Sequence, residues 1–185
     1  MVTPFRIRES VKMLADGAVL ACPTEGVWGL SCDPWNEEAV TRLLGLKSRP
    51  WQKGLILVGS RVEQFALLLQ GLTRSQQSSL ELSWPGHTTW LVPHRGLVPY
   101  WVCGEHEKVA LRVSAHPVVA QLCEAFGGPL ISTSANRAGA QPALEQHQLW
   151  RYFNGGLDGV VAGRLGGNRR PSTIRDLETD KVVRA

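Results

Sequence analysis

The chain of 185 residues carries 20 Lys and Arg against 16 Asp and Glu, a formal charge of +4. Apolar residues at 43% and charged residues at 19% supply a proper core and exclude a disordered chain. No apolar run approaches the roughly 18 residues of a membrane span, and the opening MVTPFRIRES lacks a signal-peptide core. The expectation is therefore a cytoplasmic protein with one domain over residues 1–185. Its mild basicity suits an anionic partner, nucleotide or RNA, without requiring one.

Ile7, Val11 and Leu14 recur at helical spacing up to the stop at Asp16-Gly17. Residues 18–23 and 27–32 read as short buried strands. Asp33-Pro34 opens a helix with Val40, Leu43 and Leu44 on one face and a basic end at Lys47 and Arg49. The strand 54–59 runs into Ser60-x-x-Glu63, a capping box whose helix would bury Val62, Phe65, Ala66 and Leu69 before Gly71. Thr73-x-x-Gln76 repeats the signal for a helix reaching Trp84. Strands follow at 88–92 and 108–113, then a helix from Pro117 to the stop at Gly127-Gly128. Residues 129–133 form a further strand and SANRAG a polar turn. Leu149, Trp150 and Phe153 mark a last helix, with short strands at 159–162, 172–177 and 181–184. Such alternation predicts an α/β (α+β) domain with helices covering one sheet. Closely spaced strands between Pro85 and Val113 and at the C-terminal end make that sheet mixed.

Several chemistries lack their motifs. Cys22, Cys32, Cys103 and Cys123 show neither a CxxC pair nor metal-type spacing with the histidines, so reduced thiols and no structural zinc are expected. GxxxxGK[ST], GxGxxG after the first strand, HExxH and GxSxG are missing. The seven tryptophans are scattered, which suits core and cleft walls better than a stacking platform for bases.

Other clusters carry more. Lys47 and Arg49, one residue apart and followed by Pro50, would serve a phosphate chain or simply answer the helix dipole. Ser132, Ser134 and Asn136 stand at the end of an apolar strand, where sites on open sheets form, or make only a polar turn. Thr24 and Glu25 follow another apolar strand, as a ligand wall or a β-turn, and Thr89 ends the WPGHTT turn. Arg112 lies inside the apolar strand VALRV and needs an anion or carboxylate partner. Ser172 and Thr173 put another hydroxyl pair at a strand start.

PTEGVWGL, KSRP with KGLILV, WPGHTT, LRVSAHP, STSAN and PSTIRD occur in this order. The set resembles the YrdC family of threonylcarbamoyl-AMP synthases across residues 6–184, at the length of the short bacterial form. The resemblance implies a twisted mixed sheet with a basic concave cavity. It implies a nucleotidyltransferase that joins ATP, bicarbonate and L-threonine into threonylcarbamoyl-adenylate, releasing pyrophosphate. The product would pass to a downstream complex that modifies the adenosine beside the anticodon in tRNAs reading codons that begin with A. Carried over by position, Lys47 and Arg49 are the expected catalytic cations. Together with Thr89, Ser134, Asn136 and Arg184 they are also the expected ATP contacts. Thr24, Arg112, Ser132 and Ser172 match the threonine pocket, and Mg2+ would arrive with ATP rather than in a protein cage. Gly26 (commonly Ala or Thr), Trp28 (commonly Phe or Tyr) and His87 (usually Pro) depart from the pattern, with Gly26 expected to loosen a loop and Trp28 to alter a cavity wall. The alternative is a non-catalytic RNA-binding protein using the same basic cavity, and weak RNA binding could accompany synthesis.

Overall fold

The computed structural model describes residues 2–168 and 170–184. Nine strands form one mixed sheet in the order β7-β1-β2-β6-β3-β5-β4-β8-β9. They are β1 (Leu20–Pro23), β2 (Trp28–Ser31), β3 (Ile56–Gly59), β4 (Thr88–Pro93), β5 (Lys108–Val113), β6 (Leu130–Ser134), β7 (Gly159–Val160), β8 (Thr173–Asp176) and β9 (Val182–Arg184). The pairs β1–β7, β3–β5 and β4–β8 are parallel and the other neighbours antiparallel. The expected mixed α/β sheet is what the chain forms.

The first three helices start where a side chain takes one of the first free amides. Thr3 caps α1 (Pro4–Ala15) through Arg6 N, and Pro4 occupies the first turn, where its missing N–H costs nothing. The second helix, α2 (Glu37–Lys47), begins later than Asp33-Pro34 suggests, because Asn36 Oδ1 accepts from Ala39 N at 3.0 Å. Thr73 and Gln76 form the expected reciprocal capping box on α3 (Arg74–Ser83). A short helix, α4 (Tyr100–Cys103), lies between Pro99 and Gly104. The last two are α5 (Pro117–Phe126) and α6 (Gln146–Phe153). The helix expected after Ser60 is instead a 3-10 turn at Val62–Phe65. Gln64, not Glu63, folds back: its Oε1 accepts from Ser60 N at 2.8 Å and Ser60 Oγ at 3.2 Å, which tightens the segment. Phe65 is buried as expected, whereas Val62 is exposed.

Strand side chains alternate between faces, and the two faces have different cover. Ala21, Leu30, Leu57, Trp90, Leu111 and Ile131 share one core cluster with Leu43 of α2, Leu80 of α3, Val102 of α4 and Leu149 of α6. Leu20, Cys22, Val58 and Leu130 share a second with Leu14 of α1 and Val119, Leu122 and Cys123 of α5. The second cover is partial, and the site lies where it stops. All four cysteines are free and buried. Among the described residues no helix is long and apolar enough to cross a membrane.

Candidate active site

Register places a row of side chains beyond the reach of α1 and α5. Ile56 pairs with Ser132 on one side and Ala110 on the other, and Ala110 pairs with Leu91. This row belongs to the lining of a cavity of about 590 Å³. The two-residue period adds Ser134 on β6 and Arg112 on β5 to the same lining. One strand pair further along the face, Val58 and Leu130 are already covered by helices. A sheet face that is apolar under its helices thus turns polar where they end.

Three guanidinium groups enter this cavity: Arg49, Arg112 and Arg184. Arg49 Nη2 donates to Gly54 O at 2.9 Å, and its Nε is buried without a partner. Arg184 stands on edge strand β9 with Nη2 donating to Ser172 O at 2.8 Å. Desolvation pulls all three below the ordinary arginine value, and Arg184 is lowered further by the charges of Arg49 and Arg112. Three cations gathered around one hollow, one of them made less basic by the other two, make an anion site. Lys53 and Lys108 add cations to the lining, Lys108 being paired with Asp176 and Glu178. Glu105 and Glu107 are its acidic members, and Thr24, Ser132, Thr133, Ser134 and Ser172 add hydroxyls.

Arg112 does not rely on a ligand for its countercharge. Glu25 Oε2 lies 3.5 Å from Arg112 Nη2, both side chains being buried. Glu25 Oε1 accepts from Ser114 Oγ at 2.7 Å and from Ala115 N at 3.1 Å, while Oε2 has no hydrogen bond. Burial opposes ionisation of this carboxyl, but Arg112 and the Ser114 hydroxyl outweigh it and hold Glu25 below the usual glutamate range. Glu25 does not line the cavity; it props Arg112 from behind. The sequence offers only its place next to Thr24 as a hint of this, since its partner is far away in the chain.

The other expected residues divide in two. Thr24, Arg49, Arg112, Ser132, Ser134, Ser172 and Arg184 line the cavity, whereas Lys47, Thr89 and Asn136 stand behind its wall. Ser48 has a left-handed φ of 50° and separates Lys47 from Arg49. Lys47 Nζ donates to Ser134 O and, at 2.9 Å, to Asn136 O. Burial, and then the charge of Arg49, pull Lys47 down to about 8. Thr89 is fully buried and shares a 2.7 Å hydrogen bond with Ser172 Oγ. Asn136 Nδ2 donates to Arg137 O and Ala140 O within its own loop, leaving Oδ1 buried without a partner. Thr24 Oγ1 donates to Val27 O at 2.7 Å, which closes its turn.

The departures from the family pattern sit differently from expectation. Trp28 packs in the core and does not line the cavity. Gly26 does not loosen its loop: a Cβ there would lie 1.8 Å from the carbonyl oxygen of Arg170, so the backbone of the 170 segment occupies its side-chain space. The glycine-rich turn Gly163–Gly167 lies over the same place, with Gly166 N donating to Thr24 O at 3.0 Å. Buried Cys22 and Cys123 are pushed up to about 12, which leaves them protonated and poor nucleophiles. Among the described residues no group of three His, Cys, Asp or Glu side chains is placed to hold a metal ion.

The family model Sua5_yciO_yrdC, described as Telomere recombination, matches residues 12–185. A threonylcarbamoyl-AMP synthase of Pseudomonas putida KT2440 is 53% identical over all of this chain and 99% of its own length. The synthase of Pseudomonas savastanoi pv. phaseolicola is 51% identical over the whole of both chains. P. abyssi Sua5 complexed with L-threonine superposes with a TM-score of 0.91 at 27% identity, over 98% of this chain and 54% of that one. E. coli YciO shares the fold, with a TM-score of 0.85 at 23% identity.

Proposed function

The chain belongs to the Sua5/YciO/YrdC family, and on that premise we propose that it joins L-threonine, bicarbonate and MgATP into threonylcarbamoyl-AMP and pyrophosphate. The observation that carries the proposal is the convergence of Arg49, Arg112 and Arg184 with the hydroxyls of Thr24, Ser132, Ser134 and Ser172 on one cavity. Threonine is a small zwitterion with one hydroxyl, and ATP is a polyanion. The cavity supplies groups for each.

Arg112, already oriented by Glu25, takes the threonine carboxylate in this reading. Thr24, Ser132 and Ser172 surround the substrate hydroxyl. Arg49, Lys53 and Arg184 face the triphosphate, and Ser134 with the loop behind it takes the rest of the nucleotide. Lys47, Thr89 and Asn136 act one layer back: Lys47 fixes the backbone of Ser134 and Asn136, and Thr89 fixes Ser172. Magnesium travels on the triphosphate as part of the substrate.

With the carboxylate held, the threonine ammonium gives up a proton to solvent and the free amine is the nucleophile. It adds to the carbon of bicarbonate, and loss of water leaves a carbamate. A carbamate oxygen then forms a bond to the α-phosphorus as the bond from that phosphorus to the bridging oxygen breaks, and the electron pair leaves with pyrophosphate. No protein nucleophile is needed. Positioning two anions that repel each other and stabilising charge at the α-phosphate supply the catalysis. The adenylate would then pass to enzymes that transfer the threonylcarbamoyl group to tRNA.

The test is pyrophosphate release from ATP by purified protein, with threonine and bicarbonate each omitted in turn. Release that requires both supports the proposal. RNA binding indifferent to ATP, with no release, would return the cavity to an RNA-binding role.

A further inference from the structure

Gly26 and His87 are distant in sequence and belong to different turns, yet both meet one atom, the carbonyl oxygen of Arg170. His87 Nε2 lies 2.9 Å from it. A carbonyl can only accept, so Nε2 carries the proton and donates. Gly26 leaves the space in which that oxygen sits, since a Cβ there would be 1.8 Å away. The backbone returns the contact, Thr173 N donating to His87 O at 3.2 Å. The two residues after Arg170, Pro171 and Ser172, line the cavity, as does His87 itself.

We propose that the Arg170 carbonyl is the anchor that sets how deeply the Arg170–Ser172 wall projects into the cavity, and that His87 and Gly26 are the positioning residues that set it. The clamp acts from two sides. His87 draws the carbonyl toward the β4 turn, and the bare Cα of Gly26 lets it come down against the β1–β2 turn. Ser172 is carried with it, and Thr89 and Arg184 then fix its hydroxyl and its carbonyl. A wall one side-chain radius further out would present the same serine too far from a small amino acid, while the triphosphate end at Arg49 would be unchanged. The clamp therefore governs chiefly the amino-acid end of the cavity: of the groups facing the triphosphate, Arg184 is tied to this wall through the Ser172 carbonyl, whereas Arg49 is held by the Gly54 carbonyl instead. This deepens the proposed reaction and rests on it for the identity of the amino acid.

Two measurements on the intact chain test the clamp. Amide exchange over residues 170–174 needs no substrate: His87→Ala and Gly26→Ala each speed it, with β3 and β5 unchanged. In turnover, each variant raises the threonine KM by about 3- to 10-fold, the scale of one lost hydrogen bond, and leaves the ATP KM within about 2-fold of wild type. His87→Gln, which keeps a donor, recovers most of the loss. Because both residues act on one atom, the double variant departs from the product of the single effects by about 2-fold or more. Unchanged exchange in His87→Ala, a rise in the ATP KM alone, or effects that simply multiply would overturn the proposal. If His87→Ala does not fold, Gly26→Ala gives the same readouts, with His87→Gln as the near wild-type control. Failure of the wild-type protein to turn over threonine would count against the reaction, and the exchange measurement would still decide the clamp.

Discussion

Replacing Glu25 by Gln removes the charge behind Arg112 and keeps the shape. The Glu25 and Arg112 side chains are 9% and 5% exposed, so the guanidinium would be left buried without its partner. Losing one member of a buried pair costs about 3–5 kcal/mol. The amide still accepts from Ser114 and Ala115, and the 3.5 Å contact is long, so the lower end, about 3 kcal/mol, applies. At about 2–4 °C per kcal/mol for a chain of this size, thermal unfolding at pH 7 should fall by roughly 6–12 °C. The pH dependence identifies the cause. Glu25 is more acidic folded than unfolded, so its contribution is complete above the unfolded value near ~4.3. It is lost as pH falls through the lower folded value. The gap between wild type and Glu25→Gln should therefore be full at pH 7 and close only below about pH 4. Circular dichroism melts at pH 7, 5, 4 and 3 read this directly. Equal stability at pH 7, or a gap unchanged at pH 3, would refute the argument.

Arg49→Ala should lower kcat/KM by roughly 100-fold or more, as loss of a transition-state charge partner does, with circular dichroism unchanged; near wild-type turnover would return Arg49 to a helix-end role. Lys47→Ala should raise the ATP KM more than the threonine KM, because it releases the Ser134 and Asn136 carbonyls; a selective threonine effect would contradict that placement. In competition, threonine should be preferred to serine by about 10–200-fold, the value of one methyl, with valine far below serine because it leaves the hydroxyls unpaired. Valine matching serine would mean that the pocket selects by shape alone.

Much of the fold is legible in the chain because it depends on local chemistry. The capping pair Thr73 and Gln76, the glycine stop after α5 and the period-two strands all act within a few residues. Ser60 misleads because two acceptors, Glu63 and Gln64, compete for its amide and only the fold decides between them. The site's hydroxyls are visible as polar groups in apolar strands. What stays hidden is where side chains point. One left-handed residue, Ser48, sends Lys47 behind the wall and leaves Arg49 in it. The Glu25–Arg112 pair joins the β1–β2 turn to β5, far apart in sequence, and no spacing signals it. The tryptophans look scattered, yet Trp51, Tyr100 and Trp101 stack edge to face, with centroids 5.4 Å and 5.1 Å apart, around α4.

With Arg112 occupying the threonine carboxylate, the bond to the α-phosphate is made by a carbamate oxygen. Mass spectrometry of the nucleotide product formed with carbon-13 bicarbonate tests it most directly. The expected product is an adenylate that contains threonine and one labelled carbon, in equal amount to the pyrophosphate released. An unlabelled threonyl-adenylate, formed equally well without bicarbonate, would contradict it.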